Sequence, residues 1–277
     1  MELAAREPLL RAESFDVMET PLDEMPEDIL YPFAWDELMC RQVGEGRRPI
    51  LHIWRHGAAF VMGMRDRRLA NAEQAMATLR KRGLSVGVRN SGGAAVPLDP
   101  GVVNVSIILP NPEGRLDFHE DFRLMVRFIG QTLAPWGAAV NAGEIEGSYC
   151  PGDYDVSLKG RKFCGIAQRR QTKAFVVSAF VVVTGSGMER AKVVRQFYEE
   201  AANGKRDAYP LIQPEKMASL QELAGVPSAE AYIAAIKQVA LSHGGRVVAH
   251  LPPLLPASEV KAMMEELRDR YDRQVRG

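Results

Sequence analysis

The sequence predicts an α/β (α+β) fold in which helices pack on a mixed, mostly antiparallel sheet. Three observations point there. Residues 155–158 and 161–167 flank a short Lys159-Gly160 turn, the pattern of an antiparallel hairpin. Residues 102–109 and 173–183 are long apolar runs with the length and branching of buried strands. Residues 117–133 carry Phe118, Phe122, Met125, Val126, Ile129 and Leu133 at helical spacing, so that helix turns one stripe to a core. Strands and helices mix without strict alternation, which argues against a purely parallel sheet.

Taken in order, residues up to about Glu27 are acidic and proline-punctuated and read as a poorly defined lead-in. Residues 30–43 have helical spacing and stop at Gly44. Residues 50–54 and 58–62 read as a hairpin turned by His56-Gly57. Asn71 with Gln74 is a capping-box pattern for a helix ending at Gly83. Residues 85–89 look like a strand leading into Gly92-Gly93, and 138–140 like a weak strand. Asp117 with Glu120 opens the strongest helix. Val193, Val194, Phe197 and Ala201 share one face of a helix over 190–203. Two further helices follow Pro227, separated by a proline-rich joint at 251–256. The last carries Val260, Met263, Met264, Leu267 and Tyr271 on one stripe, so it is expected to dock.

Composition narrows the function classes. The chain has 277 residues, and Lys plus Arg equal Asp plus Glu at 35 each. With no net charge there is no global electrostatic case for nucleic acid or an anionic membrane. The most apolar run, 174–183, is far shorter than a membrane span. No basic n-region precedes an apolar core at the N-terminus, so no signal peptide is expected, and the chain reads as cytoplasmic. Cys40, Cys150 and Cys164 form neither a disulfide framework nor a metal spacing. His52, His56, His119, His243 and His250 are scattered, with no triad-like or metal-like spacing.

Chemistry concentrates in two stretches. Glu146 to Gln168 places Cys150 in a Gly/Pro/Asp-rich loop just upstream of the hairpin, whose second strand carries Lys162. Strict alternation there would put Lys162, Cys164, Ile166 and Gln168 on one face and Phe163 on the other. A lysine on an inward face is costly without a partner. From the residues alone, a surface hairpin with a cysteine nearby is an equally good reading. The second stretch is Arg89-Asn90-Ser91-Gly92-Gly93-Ala94, whose glycines let backbone N–H groups approach a ligand. Taken by itself the glycine pair reads more readily as a plain turn. Asp153 and Asp155 flank the thiol loop, where orienting it is one reading, but they read more readily as turn formers.

Read together, these stretches resemble the lipoate–protein ligase and octanoyltransferase family, a biotin/lipoate protein ligase-like catalytic domain. The family's Asp-x-Gly-x-x-Asn-x-Ser strand stands here as Asp99-Pro100-Gly101-Val102-Val103-Asn104-Val105-Ser106. Its Gly-x-Lys-x-x-Gly-x-x-Gln strand stands as Gly160-Arg161-Lys162-Phe163-Cys164-Gly165-Ile166-Ala167-Gln168. The resemblance covers roughly residues 30–183 and continues weakly beyond. It implies a single domain over 1–277, with a catalytic core at about 30–245 and a C-terminal helical extension at about 246–277.

Within that family, Gly147-Ser148-Tyr149-Cys150-Pro151-Gly152-Asp153-Tyr154-Asp155 is similar to the branch of octanoyl-[glycine-cleavage H protein]:protein N-octanoyltransferases, the lipoyl amidotransferases. The resemblance implies Cys150 and Lys162 as catalytic residues, and Arg89, Ser91, Gly92, Gly93, Gly165 and Gln168 as substrate-binding ones. It implies no cofactor and no metal. The implied donor is octanoylated H protein, and the implied acceptors are lipoyl domains of 2-oxoacid dehydrogenases. A Cys150 thiolate would take the acyl group as a thioester, with Lys162 stabilising charge if it faces the thiol. Arg169 and Arg170 are candidates for docking the carrier.

Three alternatives stand beside it. An octanoyl-acyl carrier protein:protein octanoyltransferase also uses a cysteine. An ATP-dependent lipoate–protein ligase does not, but its usual second arginine, third glycine and histidine are here Asn90, Ala94 and Leu98. A carrier-binding protein without catalysis is the last. Cys164 is the internal rival of Cys150, and Cys40 reads as a core residue.

Overall fold

The computed structural model of the chain describes residues 12–114, 117–249 and 255–272. His250 and most of the proline-rich joint lie outside them. Eleven strands and seven α-helices are assigned among these residues. They are β1 (Phe15–Thr20), α1 (Leu30–Gly44), β2 (Ile50–Trp54), β3 (Ala59–Met62), α2 (Ala72–Lys81), β4 (Ser85–Val88), β5 (Val96–Leu98) and β6 (Val102–Pro110), then α3 (Phe118–Thr132) and β7 (Asn141–Ala142). The rest are β8 (Val156–Leu158), β9 (Arg161–Arg170), β10 (Ala174–Val182), α4 (Gly187–Ala201), α5 (Leu220–Ala224), α6 (Ala229–Ser242), β11 (Gly245–Val248) and α7 (Ala257–Leu267).

The large sheet has the order β11-β1-β2-β6-β10-β9-β8-β7, and a small one has the order β4-β3-β5. In the large sheet, β1 pairs parallel with β11 and with β2, and the other pairs are antiparallel. The expected mixed, mostly antiparallel sheet is therefore present. Alternation along its strands gives two buried faces. Leu51, Ile53, Val103, Val105, Ile107, Val177 and Val181 pack under α3 and α6 through Leu124, Phe128, Tyr232 and Ile236. On the opposite face, Ile50, Ile108 and Val176 pack under α1 through Trp35, Met39 and Cys40. A further core joins the small sheet to α2, α4 and one end of the large sheet, through residues such as Phe60, Met76, Phe197 and Phe180.

Several local expectations need correction. The acidic lead-in contains β1, an interior strand of the large sheet. Its charged Asp16 is buried beside Arg246, with Nη2 at 2.9 Å, so a polar residue occupies a strand interior and hides the pattern. β1 precedes the core span expected at about 30–245, and β11 begins at its last residue and runs beyond it. Residues 50–54 and 58–62 do not pair as a hairpin. β2 lies between β1 and β6, whereas β3 lies between β4 and β5 in the other sheet. Asn71 sits at the N-cap of α2 without a side-chain cap bond. On α3, Asp117 does accept the Glu120 N–H at 3.1 Å, but Phe118 is exposed and the buried stripe is Leu124, Met125, Phe128 and Ile129. α7 docks on α1, with Val260, Met263 and Leu267 around Ala34.

Candidate active site

The hairpin forms as expected. Lys159 (φ 51°) and Gly160 (φ 72°) both take the left-handed conformation that a two-residue turn of this kind requires. The face assignments on β9 do not hold. Cys164 pairs with Val156 and Lys162 with Ser157, so Phe163 is an extra residue on β9, a bulge. Phe163 and Cys164 consequently both enter the core under α3, with Ile166 packed against it. Lys162 falls on the opposite face, with Gly165, Ala167 and Arg169. One inserted residue separates Lys162 from Cys164.

That face, α1 and the glycine loop line a narrow cavity that opens to solvent. Phe33, Trp54, Val61, Leu98, Ile166 and Phe180 supply its apolar lining, and Arg89, Ser91, Asn104, Ser106 and Cys150 its polar part. Four strands set the floor in a cross-strand row. Trp54 stands opposite Asn104, Asn104 opposite Phe180, and Phe180 opposite Gly165. A Cβ at Gly165 would lie 2.5 Å from Phe180 Cε1, so glycine there leaves the ring its place.

Cys150 lies at the cavity wall, 8 % exposed, with φ 49°. That conformation costs a non-glycine residue about 1–2 kcal/mol, so the surroundings must impose it. Two donors meet its sulfur. Arg89 Nη2 is 3.3 Å from Sγ and also donates to Ala94 O at 2.7 Å, and the Ala94 N–H donates to Sγ at 3.2 Å. A guanidinium and a backbone N–H are suited to stabilise a thiolate. Gly93 (φ 100°) permits this approach, since a Cβ there would lie 2.2 Å from Arg89 Nη2 and 3.0 Å from Sγ. Gly92 has nothing within 4 Å of its Cβ position. The loop is braced from behind. Asp66 accepts from Gly63 N and from the Tyr198 hydroxyl, whose oxygen accepts from Ala95 N. Burial raises the Asp66 carboxyl above its ordinary value against those hydrogen bonds and the nearby Arg89.

Lys162 is fully buried but does not direct its ammonium at the sulfur. Its three donors are used by Tyr149 O at 2.9 Å, Cys150 O at 2.5 Å and Asp155 Oδ1 at 2.8 Å. The condition that Lys162 face the thiol is not met: it holds the backbone of Cys150, and Arg89 stands at the thiol. Asp155, read from sequence as a turn former, is the partner that this buried charge requires. Burial raises its carboxyl above the ordinary range, and the neighbouring ammonium opposes that shift.

The remaining expected residues divide. Arg89 Nε and Ser91 Oγ are buried in the cavity lining with no protein partner among the described residues. Gln168 is not brought to the site. The bulge places it on the α3 side, where Nε2 donates to Asp121 Oδ2 at 2.6 Å. Arg169 lines the cavity but is held by Glu37 through Nε at 3.1 Å and Nη2 at 3.0 Å, and Arg170 pairs with Asp121. Neither is a free docking charge. Cys164 is fully buried and desolvation holds its thiol well above its ordinary value, which leaves it inert. Burial, with Glu37 and Asp36 adding, pushes Cys40 up to about 12.

Sequence reasoning also missed a polar group behind the cavity. Asp36 accepts from Ser106 Oγ at 2.5 Å and is bonded to His52 Nδ1 at 2.8 Å, while His52 Nε2 meets Thr20 Oγ1 at 2.9 Å. Ser106 and Asn104 belong to the Asp99–Ser106 motif, whose first residue has a structural task. Asp99 takes two hydrogen bonds from Arg190 of α4, at 2.8 and 2.7 Å. No helix among the described residues is long and apolar enough to cross a membrane, and no cluster of three metal-ligating side chains occurs among them.

The chain as a whole is similar to known proteins. An octanoyl-[GcvH]:protein N-octanoyltransferase of Geobacillus kaustophilus is 40 % identical over 224 residues, 79 % of each chain. A lipoyl-[GcvH]:protein N-lipoyltransferase of Listeria monocytogenes is 37 % identical over 199 residues, 71 % of this chain and 72 % of that one. Among solved structures, lipoate-protein ligase A bound with ATP superposes with a TM-score of 0.68 at 20 % identity, covering 93 % of this chain and 95 % of that one. The bipartite lipoate protein ligase of Thermoplasma acidophilum gives 0.65 at 20 % identity, covering 93 % and 92 %. The lipoyl protein ligase A/B catalytic domain matches residues 28–243, which take in the small sheet, six of the eight strands of the large one, the glycine loop and the Cys150–Lys162 hairpin, and the chain belongs to that family.

Proposed function

We propose that this chain is a cytoplasmic acyltransferase of protein lipoylation, moving an octanoyl group from the lysine of glycine-cleavage H protein to the lysine of lipoyl domains through a thioester on Cys150. The observation that carries this reading is the cysteine itself. Its sulfur sits at the wall of a partly apolar cavity and accepts hydrogen bonds from Arg89 and the Ala94 N–H. The name borne by the Geobacillus relative supports the choice of donor.

The chemistry balances without an energy source. The Cys150 thiolate adds to the carbonyl carbon of the octanoyl-lysine amide and the oxygen takes up the charge. Arg89 Nε and Ser91 Oγ, which lack protein partners among the described residues, are the donors that would receive it. Collapse breaks the C–N bond. The donor lysine leaves as an amine with the proton the thiol gave up, and a thioester remains. The acceptor amine then attacks, the C–S bond breaks, and thiol and amide are restored. One amide replaces another, so ATP is not needed. The ligase alternative is also disfavoured where an acyl-adenylate would need cationic and polar groups. Asn90 is committed to Glu37 at 2.9 Å, and Leu98 is a buried apolar side chain.

The test is the intact mass of an apo lipoyl domain after mixing with this protein and octanoylated H protein without ATP. Gain of one octanoyl group that vanishes with Cys150→Ala is expected. Gain only from octanoyl-acyl carrier protein moves the donor, and gain only with free acid and ATP overturns the reading of Cys150.

A further inference from the structure

We infer that Asp155 is a positioning residue for transfer, holding Lys162 against the Cys150 carbonyl so that the nucleophile keeps its left-handed backbone, while charge at the sulfur is left to Arg89. The inference rests on the reading of Cys150 as nucleophile. It gives Lys162 a task different from the one its place in the motif suggests.

Four observations carry it. First, the lysine has three N–H donors and all three are taken, by Tyr149 O, Cys150 O and Asp155 Oδ1, so none remains for the sulfur. Second, Asp155 is 1 % exposed and lies on the chain that leads from the thiol loop into β8, so one carboxylate links loop and hairpin. Its other oxygen accepts from Ser148 Oγ at 3.4 Å, its N–H donates to Gly152 O at 3.0 Å, and its own carbonyl accepts from Gly143 N at 3.0 Å. Asp155 therefore grips the loop on both sides of Cys150, through its carboxylate at Ser148 and its backbone N–H at Gly152. Third, Cys150 is the strained point between those grips, at φ 49°. Releasing its carbonyl lets the residue relax toward an ordinary conformation and loosens the alignment of Sγ with the cavity, while the Arg89 guanidinium, held by Ala94 O, stays within reach of the sulfur. Fourth, the ion pair is neutral as a unit. Arg89 forms no ion pair with a carboxylate among the described residues, so its charge is the one available to the sulfur. A buried ammonium without its carboxylate is strongly disfavoured, so Asp155 is also what allows Lys162 to stay where it is.

The experiment compares full-length wild type, Asp155→Asn, Lys162→Met, Arg89→Met and the double variant Asp155→Leu/Lys162→Met. Two readouts are taken: octanoyl transfer from H protein, and the rate at which iodoacetamide alkylates Cys150 at one fixed pH, which needs no carrier. Asp155→Asn is expected to lower kcat about 100-fold with KM for octanoylated H protein within about twofold. The double variant should be no slower than either single one, because the pair acts as a unit. Alkylation should slow in Arg89→Met and hold within about twofold in Asp155→Asn and Lys162→Met. Wild-type kcat in Asp155→Asn overturns the inference. Alkylation that slows as much in Lys162→Met as in Arg89→Met overturns it too, since the ammonium then acts on the sulfur. Should the single variants fail to fold, the double variant, with apolar side chains in place of the pair, decides by the same two readouts. Transfer that survives Cys150→Ala is a separate outcome, which removes the nucleophile and not the clamp.

Discussion

Arg89 Nη2 lies 3.3 Å from the sulfur of Cys150, although 61 positions separate the two residues in the chain. The guanidinium reaches it from the end of the small sheet, across the glycine loop. Replacing Arg89 by Lys keeps a charge but loses the planar fork that meets Sγ and Ala94 O together. Arg89→Lys is expected to lower transfer by about tenfold and Arg89→Met by about 100-fold, read by mass spectrometry of the acceptor domain. Equal activity in wild type and Arg89→Met would remove the guanidinium from the chemistry.

Gly93 and Gly92 are adjacent but not equivalent. A methyl group on Gly93 meets Arg89 Nη2 and Sγ at a backbone angle that disfavours side chains, whereas one on Gly92 meets nothing within 4 Å. Gly93→Ala is expected to lower transfer at least about tenfold more than Gly92→Ala. Assaying both variants under one set of conditions checks the ranking.

Gly165 controls the width of the cavity. An added methyl group there forces the Phe180 ring off its position, 2.5 Å away. Gly165→Ala is expected to discriminate against longer acyl chains, shifting the ratio of octanoyl to butanoyl transfer by about tenfold toward the shorter chain. Competition between the two acylated donors measures that ratio directly.

His56 ties stability to pH. Its Nδ1 accepts the Ala58 N–H at 3.1 Å, which leaves the proton on Nε2 to donate to Glu27 O at 3.1 Å. Burial holds the imidazole below its ordinary 6.5, against the pull of the Glu27 carbonyl. Below 6.5 the unfolded chain then binds a proton that the folded chain resists. Stability is accordingly full above 6.5 and falls as pH drops from there toward the lowered folded value. Urea midpoints at pH 7.5 and 5.5 should differ less in His56→Asn than in wild type, because asparagine keeps an acceptor for Ala58 and does not titrate.

The sequence by itself determined the chemistry-bearing stretches. The hairpin was legible because Lys159-Gly160 demands two positive φ angles, and Cys150, Lys162 and the Arg89–Gly93 loop stood out through the order of their motifs. α7 was legible as a docking helix because Val260, Met263 and Leu267 recur at helical spacing. Local pattern carries that much, since spacing along the chain sets which side chains share a face.

What only the tertiary structure decided is which groups meet. The bulge at Phe163 reverses strand alternation for the rest of β9, moving Cys164 and Gln168 away from Lys162, and nothing in the local spacing announces one inserted residue. β2 and β3, adjacent in the chain, pair in different sheets because each finds its neighbours among distant strands. Asp155 looked like a turn residue until burial placed an ammonium beside it. Long-range packing selects those partners: an unpaired charge or strand edge is costly, and the partner that relieves it lies far along the chain.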